Sequence, residues 1–586
     1  MKRIYITLCL LMVGMLAFAQ ESSVPMFTTD IALGNSSSLV MTQKGRCAVD
    51  VYSADGSQLI RTIQMPQTPT GVAVSGDVAY VTTFKSEGMV EIVSLSSGKI
   101  EGSIKVGSGA CAPLLSEDGK TLYVCNQFSN NISKIDLASK KVVATADVLR
   151  EPKACVISKD GKYMFTTNFL PSQASNVDYV AACVSVIDMK KFEKIKDLQL
   201  ANGSNAVRGM AATPDGKYIY VSHNLGRFAV PTSQLQQGWM NTSAFSVINA
   251  STLEYEGCII VDEPERGAAG IWGVACDDDN VYITHSGTHE LSIIDQKAML
   301  DKLEKYPNKA TLDYDLRFLY GLRKRVKLEG NGPKEMVVTD GKVIIPTYFA
   351  DILNIVDTKT AAVTAVNLNP ERKETAAHKG EKYFNDATYC FQSWQSCNGC
   401  HPGDGRTDGM NWDLMNDGVG NAKNCKSMLY SHVTPPSMIS GIRAMAEIAV
   451  RKGFTHIQFY NVDEEYAECV DEYLKGLVAV PSPYLVDGKL SKLAEEGKKV
   501  FEKLKCNDCH NGPYFTDMKM YRIGDDIEFE AGWDTPTLCE VWRTAPYLFD
   551  GRATTMKEVY TVHKHGINKK VSEADIDALC EYVLSL

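Results

Sequence analysis

The sequence is poor in histidine and lacks the repeated long apolar runs of a multi-span membrane protein. Only 10 of its 586 residues are His, although 17 are Cys. Hydrophobic residues make up 44% and charged residues 23%, an ordinary balance that excludes wholesale disorder. Basic residues are also fewer than acidic ones, 61 against 71, and a net charge of −10 repels phosphate backbones, so we expect no nucleic-acid partner. The few histidines and the many cysteines are therefore the residues that should tell most about function.

The one strongly apolar stretch lies at the N-terminus. Lys2 and Arg3 precede an apolar run at residues 4–18, and Ala17-Phe18-Ala19 has the small-x-small form of a signal-peptidase site. The run is too short to span a bilayer comfortably. We therefore predict a signal peptide at residues 1–19, a periplasmic or otherwise exported protein, and no transmembrane segment in the mature chain.

Residues 38–370 repeat one unit, a β-rich run followed after a short gap by a second β run that ends in Asp or Asn. An aligned aromatic residue recurs at Tyr80, Tyr123, Phe165, Tyr220 and Tyr282. A period near 40 with strand alternation and turn signals is typical of propeller blades. Six units are clear, and a weaker one at residues 40–63, completed by the N-terminal strand, makes seven. The strand at 122–126, Leu-Tyr-Val-Cys-Asn, resembles those of the YVTN-type β-propeller family, so we assign residues 20–370 to an all-β propeller.

Two intervals between repeats are long enough to need insertions, at residues 227–241 and 296–333. The second has leucines and methionine at helical spacing, at 299–303 and again at 316–322. His223, His285 and His289 follow equivalent strands. The favoured interpretation is that they are satisfied histidines of the fold, and the alternative is a metal site on one face of the propeller.

Two CxxCH motifs carry the chemistry of the last third of the chain. In this motif both thiols add to haem vinyl groups and the adjacent His is placed to bind iron. We therefore predict two covalently bound haem c groups. Their attachment residues are Cys397, Cys400, Cys506 and Cys509, and their proximal iron ligands are His401 and His510. Four thiolates could instead hold a structural zinc ion, but the sequences flanking the motifs favour haem.

The same helix pattern precedes both motifs. Ala377, Gly380 and Phe384 recur at identical spacing at positions 494, 497 and 501. Small residues at this spacing let one helix pack closely against another. An amphipathic helix closes each copy, one around residues 470–477 and one after Ser572 as N-cap. We therefore predict two tandem cytochrome c domains, at residues 371–481 and 482–586, forming a mainly α region.

Three segments near the second motif narrow the family. They are NGPYFTDMKM at residues 511–520, DTPTL at 534–538 and TAPYLFDGR at 544–552. Their order resembles the C-terminal haem domain of the bacterial dihaem cytochrome c peroxidase and MauG family, and the resemblance covers about residues 371–586. It implies one electron-relay haem and one peroxidatic haem with an open or openable distal face. In many members it also implies a calcium ion between them.

The sequence departs from this family where the distal ligand of the second haem is expected. Instead of Met or Tyr after the short helix that follows the Asp-Gly segment, His563 occupies the position. His565 is a nearby competitor, and Met556 or Met520 is the fallback ligand if His563 points away. Ligation by two His lowers the reduction potential relative to His and Met. Cys539 and Phe549 replace an Arg and a His that the family often has, which puts the calcium site in doubt.

At the first haem, reduction of peroxide needs a distal group that moves a proton between the two oxygens. His432, His456 and Glu447 are the candidates, and either His could instead bind the iron and close the site. The leading hypothesis is an exported dihaem c-type oxidoreductase. It would reduce hydrogen peroxide at the first haem with electrons relayed through the second from a small redox protein or a quinol-linked donor. The propeller would then be a cap or a partner platform. The alternative is a non-catalytic electron-transfer or binding protein with both haems six-coordinate.

Overall fold

The computed structural model describes residues 23–35, 38–229, 240–413, 422–524, 529–567 and 569–586. The predicted signal peptide at residues 1–19 lies outside this part of the chain. Within it, β-strands run from Thr28 to Asn367 and helices predominate among the regular elements from Ala376 onward. No helix among the described residues is long and apolar enough to cross a membrane.

Seven antiparallel sheets follow one another along the chain, each built from consecutive strands. The first four contain β1 (Thr28–Leu33), β2 (Leu39–Gln43), β3 (Ala48–Tyr52), β4 (Leu59–Gln64); β5 (Pro69–Ser75), β6 (Val78–Phe84), β7 (Gly88–Ser94), β8 (Ile100–Val106); β9 (Ala110–Leu115), β10 (Thr121–Asn126), β11 (Asn131–Asp136), β12 (Lys141–Asp147); and β13 (Cys155–Ile157), β14 (Tyr163–Thr167), β15 (Cys183–Asp188), β16 (Glu193–Gln199). The last three contain β17 (Ser204–Asn205), β18 (Met210–Ala212), β19 (Tyr218–Gly226), β20 (Asn241–Asn249), β21 (Glu254–Ile260); β22 (Ile271–Cys276), β23 (Asn280–His285), β24 (Glu290–Asp295), β25 (Arg323–Lys327); and β26 (Val337–Thr339), β27 (Lys342–Pro346), β28 (Ile352–Asp357), β29 (Val363–Asn367).

These sheets are the blades of a seven-bladed β-propeller, which confirms the predicted blade number. The innermost strands of neighbouring blades contact one another in the order β1, β5, β9, β13, β18, β22 and β26, and β26 contacts β1, so the ring around the axis is closed. The N-terminal strand β1 pairs with β2 and completes the weak first blade. The backbone N–H of Met26 donates to the buried Asp351 carboxylate at 3.1 Å, which ties the first blade to the last.

The core lies between neighbouring blades because each sheet buries both faces against the next. Phe165 and Val184 of the fourth blade, for example, pack with Ile219 and Val221 of the fifth, and all four are fully buried. Outer strands such as β12 instead alternate exposed and half-buried residues, because they form the rim of the propeller and are open to solvent. The two-residue alternation that marks strands in the sequence therefore reflects radial position in the blade.

The insertion at residues 296–333 is helical only in its first half. Helix α1 (Gln296–Glu304) begins at Asp295, whose side chain accepts from the N–H of Ala298, and a 3-10 helix follows at Lys309–Tyr314. The leucines at 316–322 form turns, so the helix expected there is wrong. The chain must reach β25 at Arg323, and the turns still bury Phe318 and Leu319 against the blades.

The region after the propeller is less helical than predicted, because most of its residues lie in connecting segments without regular structure. Its helices are α2 (Ala376–Asn385), α3 (Cys397–Cys400), α4 (Pro402–Gly405), α5 (Ala446–Lys452), α6 (Glu464–Lys475), α7 (Lys492–Lys503), α8 (Met556–Thr561) and α9 (Glu573–Leu584). Two short hairpins add β30 (Asn411–Trp412) with β31 (Lys423–Asn424), and β32 (Met520–Tyr521) with β33 (Trp533–Asp534).

The repeated glycines mark two equivalent helix crossings. Helix α2 packs on α6 and helix α7 packs on α9. A Cβ atom added at Gly380 would lie 1.8 Å from the carbonyl oxygen of Cys469, and one added at Gly497 would lie 1.8 Å from that of Ala578. Only glycine permits such an approach, so the close packing predicted from the small-residue spacing is present in both copies.

Candidate functional site

Each CxxCH motif lines a cavity. The first cavity has a volume of about 770 Å³ and the second about 410 Å³, within the range of small-molecule and cofactor sites. The motif residues lining them are Cys397, Cys400 and His401 in the first and Cys506, Cys509 and His510 in the second. All six residues that the sequence assigns to haem attachment and proximal ligation therefore face a cavity.

The two motif histidines are oriented in the same way. The Nδ1 atom of His401 lies 3.0 Å from the carbonyl oxygen of Arg406, and that of His510 lies 3.0 Å from the carbonyl oxygen of Phe515. A carbonyl can only accept, so Nδ1 carries the proton and Nε2 keeps its lone pair. Burial lowers the pKa of both imidazoles, which keeps them neutral. A neutral ring fixed by a carbonyl is the usual arrangement of a metal-binding histidine.

His565, and not His563, stands opposite His510. The ring centres of His510 and His565 are 6.2 Å apart. Because imidazole nitrogens bind metals at about 2 Å, two rings on either side of one metal ion have centres roughly 6 Å apart. His565 lines the second cavity, its Nδ1 is buried without a hydrogen-bond partner among the described residues, and burial lowers its pKa to about 4.

His563, the residue predicted for this place, does not line the second cavity. Helix α8 ends at Thr561, and Lys564 adopts a left-handed backbone conformation with φ 55°. The N–H of His565 then donates to the carbonyl of Val559. This reversal of the chain directs His565 to the cavity in place of His563.

The structure separates the three candidates at the first cavity. His456, in a π-helix at Gly453–Ile457, lines the cavity. His432 does not, because its Nε2 lies 3.0 Å from the buried Asp471 carboxylate. Glu447 also lies outside the lining, although the neighbouring residue Ala446 is part of it. Arg443 is a cationic lining residue that sequence reasoning missed.

The two cavities are neighbours. Residues 424–427, Ile439 and Thr537 line both of them. This shared wall comes from three separate segments, so no local pattern in the sequence could have identified it. Groups bound in the two cavities would therefore contact the same wall.

The propeller contributes directly to the first cavity through strand β20. Met240, directly before this strand, lines the cavity. The amide nitrogen of Asn241 lies 3.2 Å from Sγ of Cys400 and 3.3 Å from Oε1 of Gln395. Sequence reasoning missed both residues. The available signal was the insertion at residues 227–241, because strands β19 and β20 on either side of it are nine residues long.

A buried ion-pair network fastens the propeller to the C-terminal region. The propeller residue Glu151 pairs with Arg543 at 3.1 Å, Arg543 lies 3.4 Å from Glu540, and Glu540 pairs with Arg406 at 2.7 Å. Arg406 is also the residue whose carbonyl orients His401. The position of the first motif histidine is therefore linked to the docking of the propeller.

The propeller histidines are satisfied by the fold, in agreement with the favoured interpretation. His223 bonds the hydroxyl of Ser246 and His285 that of Ser292, while His289 pairs with Asp386 of the C-terminal region. Within the described part of the chain, no group of three or more His, Cys, Asp or Glu side chains could hold a metal ion. This gives no support to a metal site on the propeller.

No protein-family model matches the sequence. The chain is 24% identical over 283 residues to hydrazine synthase subunit gamma of Kuenenia stuttgartiensis, a match covering 38% of this chain and 80% of that subunit. It is 26% identical over 183 residues to hydrazine synthase subunit beta of the same organism, covering 30% of this chain and 47% of that subunit. A chain of the solved K. stuttgartiensis hydrazine synthase aligns with a TM-score of 0.51 and 22% identity, over 58% of this chain and 96% of that one. This last likeness supports the seven-bladed propeller fold.

Proposed function

We propose that this protein is an exported dihaem c-type oxidoreductase that reduces hydrogen peroxide at the first CxxCH site with electrons relayed through the second. The observation that carries the proposal is the difference between the two sites. His510 faces a second imidazole, that of His565, across the smaller cavity. Among the described residues no imidazole makes such a ring contact with His401, which opens onto the larger cavity. This difference supports ligation by two histidines at the second site and binding of a small molecule at the first.

The residues present fit haem c at both sites. Each cavity has two thiols placed for thioether bonds and a neutral His whose Nε2 is available to a metal. The orphaned nitrogen of His565 and the distance between its ring and that of His510 fit a second histidine that would hold the iron in the smaller cavity. When bound, haem would supply redox-active iron at both sites, and the larger first cavity would leave room for peroxide beside it.

His456 is the residue we assign to proton transfer at the first site. Its imidazole lines the cavity, and its Nδ1 lies 2.7 Å from the hydroxyl of Thr455. It would take a proton from one peroxide oxygen and return it to the other, so that two further protons and two electrons complete the reduction to two waters. Arg443 in the same lining favours the negative charge that develops on the departing oxygen.

The second site is the proposed electron relay. A pair of histidine ligands, His510 and His565, gives a lower potential than His and Met would. The shared wall at residues 424–427 provides a short path to the first site. The electron donor would be a small redox protein or a quinol-linked carrier, and the propeller acts as a cap through Met240 and Asn241. Similarity to subunits of hydrazine synthase supports a redox enzyme.

The test combines haem counting, spin state and turnover. A pyridine haemochrome assay should find two haems per chain, and the EPR spectrum should contain one high-spin and one low-spin ferric centre. H565A should convert the low-spin centre to high spin, whereas the matched control H563A should leave it unchanged. H456A should lower the peroxide turnover number by about 100-fold.

Uniformly low-spin iron in both the oxidised and half-reduced protein, together with no reaction between reduced protein and peroxide, would overturn the enzyme proposal. That result would favour the electron-transfer alternative, in which His456 joins His401 as a second histidine ligand in the first cavity.

A further inference from the structure

Three cations enter the propeller axis at equivalent positions of three blades. Lys153 precedes the innermost strand β13, Arg208 precedes β18 and Lys334 precedes β26, each by two or three residues. The innermost strands of the seven blades form a closed ring and start at the same end of the axis. The fold therefore gathers Lys153, Arg208 and Lys334 at one mouth of the axial channel, and we call them the axial cation cluster.

Two aromatic rings connect the members of the cluster. The guanidinium carbon of Arg208 lies 4.5 Å and Nζ of Lys334 lies 4.3 Å from the ring centre of Trp272. Arg208 also lies 5.7 Å and Lys153 5.3 Å from the ring centre of Phe169. Because Arg208 shares one ring with Lys334 and another with Lys153, the three side chains belong to one connected cluster. Cation–π contacts offset only part of the cost of desolvating them.

The buried guanidinium of Arg208 lacks a counter-charge. Arg208 is only 7% exposed. Its Nη1 donates to the carbonyl of Ala206, and its Nη2 has no hydrogen-bond partner in the described part of the chain. Arg208 forms no ion pair with any described carboxylate, unlike Arg543, which pairs with Glu151. Burial lowers the pKa of Arg208 to about 9 and that of Lys334 to about 7. Buried charges in proteins are normally paired, so an unpaired cation marks a missing anion.

Three carboxyl groups act on the cluster, but none pairs with Arg208, whose pKa is lowered by burial alone. Glu381 and Asp404 each raise the pKa of Lys334 against the effect of burial. Glu335 follows Lys334 in the chain, but burial and the proximity of Asp30 raise its pKa to about 8, so it is largely neutral at pH 7. Asp404, in the loop after the first CxxCH motif, is exposed and forms no ion pair with a described residue. Lys44, Arg406, Lys334 and Lys153 nevertheless hold its pKa well below its usual range. An exposed carboxylate surrounded by cations faces a solvent-filled space between that loop and the channel mouth.

We propose that the axial cation cluster binds a small oxyanion in this space, with Arg208 Nη2 and Lys334 Nζ as its main donors. A guanidinium offers two parallel N–H groups to two oxygens, and a buried ammonium adds a point charge. Asp404 lies on the loop side of the same space and competes for the same cations. The site is separate from both CxxCH cavities, since none of the three cations lines either of them.

Calorimetric titration of the full, haem-loaded protein tests the proposal. Sulfate, phosphate, nitrate and formate serve as probes at constant ionic strength, with chloride as the reference. At least one of them should bind at one ion per chain and raise the melting temperature with concentration. R208M and K334M should each weaken this binding by about tenfold or more. D404N should tighten it, because it removes the competing carboxylate.

The matched control is R317M, which removes an exposed arginine outside the cluster and should leave the affinity unchanged. K334M keeps the test informative if R208M does not fold. Absence of stoichiometric binding by all four anions would overturn the proposal. Binding that survives both R208M and K334M would do the same, since it would place the anion elsewhere on the surface.

Discussion

Replacing Gly497 with alanine should force apart helices α7 and α9, of which α7 contributes Phe501 to the lining of the second cavity. Gly497 lies in α7 where that helix crosses α9, and an added Cβ would lie 1.8 Å from the Ala578 carbonyl oxygen and 2.8 Å from Cβ of Tyr582. Both obstacles belong to the backbone or its first side-chain atom, so no rotamer change relieves them. The helices must separate by on the order of 1 Å to reach ordinary contact distance.

The expected cost follows from these distances. Overpacking a close contact costs about 1–3 kcal/mol, and a backbone obstacle places this site at the upper end. Alanine recovers about 1 kcal/mol of helix propensity relative to glycine. We therefore expect G497A to lower the free energy of unfolding by about 2 kcal/mol. G380A should behave alike, because its Cβ would lie 1.8 Å from the Cys469 carbonyl oxygen.

Urea unfolding followed by circular dichroism measures this change, and haem stoichiometry shows whether the second site still takes up its predicted haem. G453A is the matched control, since nothing lies within 4 Å of a Cβ at that position and its backbone is right-handed helical. It should stabilise the protein by about 0.4–1 kcal/mol. If G497A and G453A shift the unfolding midpoint in the same direction, the close helix crossing is refuted.

Two further predictions concern the propeller. E151A removes a buried carboxylate that accepts from Nε and Nη2 of Arg543 at 3.2 and 3.1 Å. It should destabilise docking of the propeller by about 3 kcal/mol, measured by thermal unfolding and limited proteolysis. A loss below about 1 kcal/mol would contradict this prediction. Burial lowers the pKa of His223 from 6.5 to about 4, so the unfolded chain takes up this proton first as the pH falls. The free energy of unfolding should therefore decline as the pH drops from about 6.5 to 4, by up to about 3 kcal/mol for this group. The decline should be shallower in H223Q. If H223Q has the same pH profile as the unsubstituted protein, His223 is not responsible.

The parts of the fold that sequence reasoning predicted well are those encoded locally. Each blade is made of consecutive strands, so its strand alternation and the recurrence of Tyr123, Phe165 and Tyr220 are visible without knowing the tertiary structure. Ser572 was identified as an N-cap for the same reason, since its side chain accepts from the N–H of Asp575 three residues later. The helix predicted from the leucines at 316–322 is wrong, because burial against the blades positions these residues in turns.

The choice between His563 and His565 illustrates what a local pattern cannot decide. Both follow the same short helix, and the left-handed turn at Lys564 determines which one reaches His510, 55 positions earlier in the chain. His432 was likewise a reasonable candidate until its ion pair with Asp471 placed it outside the cavity. In both cases the outcome depends on contacts between residues far apart in sequence.

The sequence by itself determined the repeat, the two CxxCH motifs and the glycines at the helix crossings, because covalent chemistry, strand alternation and close helix packing all require particular residues at short, fixed spacings. The tertiary structure alone decided which polar groups meet. It brings Asn241 to Cys400, pairs Glu151 with Arg543 and leaves Arg208 buried without a carboxylate. The physical reason is that these contacts arise where separately folded segments dock, and docking places residues by shape and charge in three dimensions, without a period along the chain.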